Sequence, residues 1–159
     1  MIDALNIAGL FAEGDMTIKL SADSFSEASL ENLKNLLASK ETLIKKVLSI
    51  DRELSVSAEN NEIIFPFWNA TLNADEVQTY VTLARQMAEQ AKTQKRVLRT
   101  EKAADNEKYA FRCFLLRLGF IGDEFRTERR ILLSRLSGNG AFRNSEARRH
   151  SLRAVDENE

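Results

Sequence analysis

Acid–base or nucleophilic catalysis needs histidine, cysteine or carboxylate side chains that converge, and this chain offers few of them. It has one histidine, His150, and one cysteine, Cys113. His150 is flanked by Arg148, Arg149 and Arg153 in a polar C-terminal segment, the setting of a solvated side chain. Cys113 lies in the apolar run YAFRCFLLRLGF, where a free thiol serves as a small core residue, and a lone cysteine permits no internal disulfide. The acidic pairs Asp105 with Glu107 and Asp123 with Glu124 stand two and one residues apart, so neither pair faces a common point on a helix. Gly119-Phe120-Ile121-Gly122 lacks both the lysine of a phosphate loop and the dinucleotide-binding pattern, and reads as helix punctuation. No catalytic residue, metal site or cofactor is expected, and the chain reads as a protein that binds rather than an enzyme.

Arginine is where the pattern departs from a plain solvated surface. Arg126, Arg129 and Arg130 fall at i, i+3 and i+4 and so crowd one helix face, with only Asp123 placed to offset them. Such like-charge pairs cost a few tenths of a kcal/mol each, roughly, unless an anion stands opposite. That anion can be the protein's own acidic half, a second subunit, another protein, or nucleic-acid phosphate. Lys92, Lys95, Arg96 and Arg99 extend the basic character upstream, Arg112 adds to it, and Arg143, Arg148, Arg149 and Arg153 form an arm of the kind that tracks phosphates. An isoelectric point near 6.0 is low for a dedicated DNA binder, and no recognition motif or ribonucleoprotein aromatic signature is present. Phe65-Pro66-Phe67-Trp68 is the second cluster of interest, with Trp68 a candidate anchor for a protein partner.

The chain that must position these groups has 159 residues, enough for one domain that buries roughly 70% of its unfolded surface. Hydrophobic residues make up 43% and charged ones 30%, too apolar a mixture for general disorder. The N-terminal MIDALNIAGLFAEGD has an acidic flank and an apolar stretch broken by Asn6 and Gly9, so neither secretion nor a membrane span is expected, and a reducing cytoplasm suits the lone thiol. The formal net charge of −1 conceals a strong segregation: residues 1–75 sum to −6, residues 76–159 to +5, and Lys92–Arg153 alone to +9.

Met16–Leu20 alternates with the period of a half-buried strand. Ser24 with Glu27 forms a capping box before one helix, or two abutting at Ser39, whose Leu30, Leu33, Leu37, Ile44, Val47 and Leu48 recur at helical spacing. Leu54 and Val56, a polar tip Glu59–Glu62, and Ile63, Phe65 and Phe67 on the return read as a hairpin, with Pro66 placing its strand at an edge or ending it. Asn73 with Glu76 opens a long helix with an apolar stripe from Val77 to Leu98. Arg99–Lys108 reads either as a solvated continuation of that helix or as a break. Tyr109–Leu118 predicts the most buried helix, stopped by Gly119, with Phe120 folding back against Leu116. Asp123 caps a last helix through Leu136 that Gly138-Asn139-Gly140 ends. These elements predict one mostly helical α+β domain over 1–142, with a small three-stranded antiparallel or mixed sheet against four or five helices, and a flexible basic tail over 143–159.

The stretch EKYAFRCFLLRLGFIGDEFRTERRILLSRLSGNGAFR, Glu107–Arg143, resembles the C-terminal signature of small proteins carried by integrative conjugative elements and prophages of Gram-positive gut bacteria, some of them labelled virulence-related. LASKETLIKKVLSI and FPFW extend the resemblance more weakly. It implies a mobile-element setting, and with it two kinds of work. One is nucleic-acid binding for transfer, replication or regulation through Arg126, Arg129, Arg130 and the arginine tail. The other is inhibition of a host defence protein, of anti-CRISPR type, through the acidic half as a nucleic-acid mimic or the basic helix against an acidic groove. A structural homo-oligomer, in its simplest form a dimer whose acidic and basic halves meet between subunits, is the third expectation.

Overall fold

The computed structural model describes residues 15–138 together with the backbone of a short strand, β1, at Asn6–Ala8. β2 (Asp15–Ser21) alternates as expected, burying Met16, Ile18 and Leu20. α1 (Glu27–Ser39) and α2 (Glu41–Leu48) abut at Lys40. The cap of α1 is Ser26 and not Ser24: the Ser26 hydroxyl accepts from the Ser29 amide at 3.1 Å, while Ser24 sits in the turn before it at φ 60°. β3 (Ser57–Glu59) and β4 (Glu62–Asn69) form a hairpin at the expected polar tip, though Leu54 and Val56 precede its first arm and lie outside it, and Asn60 and Asn61 take φ 52° and 60°, the left-handed angles that a two-residue turn demands.

The three expected strands form an antiparallel sheet, and β1 adds a short outer strand to give the order β1-β2-β4-β3. β4 is therefore central, which corrects the expectation drawn from Pro66. Two features make room for the proline. β3 pairs with β4 only as far as Ile64, so beyond that point β4 is open on one side. On the other side the register runs from Ile18↔Phe65 to Met16↔Trp68, one extra residue on β4, so Pro66 lies at a bulge where a missing N–H costs no ladder bond. The bulge also turns Phe67 and Trp68 inward in succession.

α3 (Ala74–Thr93) starts at Asn73, whose side chain accepts from the Glu76 amide at 3.1 Å. It packs against α1, against β2 and against the two helices that follow, and it buries nine of its 20 residues against four of 12 in the helix Glu107–Leu118, so the expected Tyr109–Leu118 helix is not the most buried. It stops short of Leu98, which lies beyond it and is 67% exposed. The buried Asn32 of α1 helps end it there, donating to the carbonyls of Ala91 and Gln94. Residues 94–106 then run without helix, which settles the choice between rod and break, and Val97 anchors the segment in the core. α4 (Glu107–Leu118) is capped by Asn106 and ended by Gly119 at φ 101°. Phe120 is fully buried. In place of one helix to Leu136, a 3-10 turn at Asp123–Phe125 leads into α5 (Arg126–Leu133), and Leu136 reaches the core from beyond its end.

Candidate anion-binding surface

Gly119 and Gly122, at φ 101° and 92°, turn the chain sharply between α4 and α5 and leave the carbonyl of Phe120 outside any helix, while that of Gly122 accepts from the Phe125 amide at 3.3 Å to open the 3-10 turn. Arg129 takes them both: its Nη1 donates to Phe120 O at 2.8 Å and to Gly122 O at 3.0 Å. The arginine triplet is thereby divided. Arg129 leans back on its own turn, while Arg126 and Arg130, one helical turn apart, are exposed. Among the described residues no carboxylate lies within ion-pair distance of either, Asp123 included. Arg112 is exposed on α4. Arg143, Arg148 and Arg149, and the whole tail with them, lie outside the described residues.

Trp68 is not a surface anchor. It is fully buried, stacked on Tyr80 of α3 with centroids 5.3 Å apart and set against Phe67 at 4.9 Å. Arg52 locks the same strand from the rim, donating to Phe67 O at 2.8 Å and pairing with Asp15 at 2.9 Å.

Of the acidic pairs, Glu107 is spent on an ion pair with Lys46 of α2, and Asp123 and Glu124 are exposed. Among the described residues no three histidine, cysteine or carboxylate side chains gather as metal ligands would. Cys113 is a free, half-buried thiol, and His150 lies outside the described residues.

A basic cluster unforeseen in the sequence forms where the 94–106 segment crosses the end of α1 and the end of α4. Lys40, Arg96, Lys102 and Arg117 line one groove of about 360 Å³ with no carboxylate among its lining residues. Lys40 comes from the acidic half of the chain, far in sequence from Arg117, so no local spacing signals the group. Of the four, Arg96 alone belongs to the upstream basic stretch, Lys92 to Arg99, legible in the sequence. No protein-family model matches the chain, and no curated protein and no solved structure matches it.

Proposed function

We propose that the protein acts by binding, as the nucleic-acid-binding component of a mobile genetic element, and that it holds backbone phosphates on Arg126 and Arg130, with Arg112 and the tail residues Arg143, Arg148 and Arg149 as further contacts. The observation that carries this reading is the pair of exposed guanidinium groups on α5 with no carboxylate opposite them among the described residues. A guanidinium presents a rigid fork of donors that fits a phosphate's oxygens, and phosphate binding releases counterions from the duplex. The excess of +9 over Lys92–Arg153 supports the same direction. No helix among the described residues is long and apolar enough to cross a membrane, and a reducing cytoplasm remains the compartment that suits the free thiol.

A protein partner with an acidic groove, as in a host-defence component, is the second reading. Ile121 favours it, being 62% exposed in the turn that leads into α5. Fluorescence anisotropy with labelled random duplex and single-stranded DNA and RNA across a salt series separates the two. Binding that weakens steeply with salt and is lost in Arg126→Glu plus Arg130→Glu is the expected result. No binding to any of them at low salt overturns the nucleic-acid reading, and pull-down against defence nucleases then tests the second. A homo-oligomer joined through opposite charges would be contradicted by elution as a monomer at micromolar concentration on a sizing column.

A further inference from the structure

The groove at the α1–α4 junction is built by features that have nothing to do with α5, none of whose residues lines it. Lys40 is the hinge residue between α1 and α2, and its amide closes α1 by donating to the Leu37 and Ala38 carbonyls. Its side chain runs over the Phe114 ring, with Nζ 5.7 Å from the centroid, so the ammonium is half-buried against an aromatic wall. Arg117 comes from the last turn of α4, and Arg96 and Lys102 come from the crossing segment on either side of Thr100. A second hollow of about 310 Å³ shares Lys40, Lys102 and Arg117 with the first and adds Asp105 and Cys113.

None of the four cations belongs to an ion pair among the described residues. Glu101, beside Lys102 in sequence, is turned to α2 instead, its Oε1 accepting from the Thr42 amide at 2.9 Å. Burial holds the Lys40 ammonium below the ordinary lysine range, and repulsion from Arg117 and Lys102 adds to this, while Glu101 and Cys113 act the other way. Cations that share one groove and form no ion pair raise the free energy of the empty groove and lower that of the groove with an anion in it.

We propose that this groove binds the polyphosphate group of a small molecule, a nucleoside di- or triphosphate or an inorganic polyphosphate. One phosphate monoester carries about two negative charges at neutral pH, so a chain of phosphates is what matches four cations. At about 360 Å³ the groove is at the small end of ligand pockets, which run from roughly 300 to 1,000 Å³. A concave site of that size admits a phosphate chain and excludes the convex rod of a duplex. With no carboxylate in its lining the groove has nothing to hold Mg²⁺, so the cations meet the phosphate oxygens directly. Leu98, exposed at the rim, gives an apolar edge on which the organic part of a nucleotide would rest.

Isothermal titration of the full chain in about 50 mM salt, a range where screening is weak, tests the proposal with tripolyphosphate, ATP and adenosine. Tripolyphosphate and ATP bind, adenosine does not, and excess Mg²⁺ weakens ATP. Tighter binding of ATP than of tripolyphosphate identifies a nucleotide, and equal binding identifies the phosphate chain alone. Lys102→Glu plus Arg117→Glu weakens both ligands by about tenfold or more, as does the milder Lys102→Gln plus Arg117→Gln should the reversal fail to fold. Arg126→Glu plus Arg130→Glu leaves them unchanged, so this site and the nucleic-acid face fail separately. Absence of binding by both phosphates, or equal affinity in the folded groove variants, overturns the proposal.

Discussion

The guanidinium of Arg129 holds the Phe120 and Gly122 carbonyls of the turn between α4 and α5, and a charged donor makes those bonds stronger than neutral ones. Arg129→Ala is expected to lower stability by about 1.5–3 kcal/mol in urea unfolding, the range for hydrogen bonds to charged groups, whereas Arg126→Ala changes it little. Equal costs at the two positions would place Arg129 on the same free surface as Arg126. Trp68, the only tryptophan, reports on the core directly. Acrylamide should quench it poorly in the folded protein and readily in urea, and Trp68→Ala should cost about 3–5 kcal/mol, as large core truncations do. Ready quenching of the folded protein would show that the Phe67–Trp68 bulge does not bury it. Lys40 gives a pH signature. Because its folded ammonium releases its proton below the ordinary lysine value of 10.5, the unfolded chain binds more protons in that window, and the cost of holding Lys40 charged in the fold is relieved as pH climbs toward that value. Arg117→Gln removes the larger of the two repulsions and should move the Lys40 titration, followed by the NMR shift of its ε-carbon, upward. What the sequence conveys at this scale is which residue types are missing, since one histidine and one cysteine are visible at once. Which of three arginines turns inward depends on the backbone of a turn that is not written in their spacing.

Local elements were legible wherever a short-range interaction decides them. Asn73 and Gly119 do in the structure what their types and positions predict, because a cap or a left-handed stop involves only residues within one helical turn. The Ser24–Glu27 reading failed for an equally local reason: Ser26 and Ser29 carry the same three-residue spacing, and Ser24 is needed in the turn at φ 60°. Ser26→Ala is accordingly expected to cost about 0.5–2 kcal/mol and Ser24→Ala less, measured by thermal unfolding of the two variants side by side. The reverse order would restore Ser24 as the cap. Long-range arrangement was less legible. Pro66 forbids one ladder bond wherever it sits, and the short β3 together with the bulge opposite Met16–Ile18 is what lets a central strand carry it. The groove at Lys40 belongs to the same class, since it exists only once residues 94–106 leave the helix and cross α1.

For the molecule as a whole, the question is where the segregated charge goes. A protein with −6 in residues 1–75 and +5 in residues 76–159 could cancel the two by folding them together. It does so sparingly. Of the ion pairs among the described residues, Lys46–Glu107 joins the two halves, while Glu41–Lys45, Glu89–Lys92 and Asp15–Arg52 each stay within one. All four are partly exposed, and such pairs contribute about 0–1 kcal/mol each and are screened by salt. The fold is therefore held by its single apolar core, and the charge is left on the surface. Stability and polyanion binding should then respond differently to the same ions. Between about 50 and 500 mM salt, the urea midpoint should move by the equivalent of roughly 1 kcal/mol or less, while nucleic-acid affinity falls with a log–log slope near −0.9 for each duplex phosphate neutralised. In Arg126→Gln plus Arg130→Gln, which removes two phosphate contacts without reversing their charge, that slope should flatten by about two units, with the urea midpoint unmoved. A midpoint that drops in step with affinity would mean instead that opposite charges between the halves hold the fold together, and that salt abolishes binding by unfolding the protein.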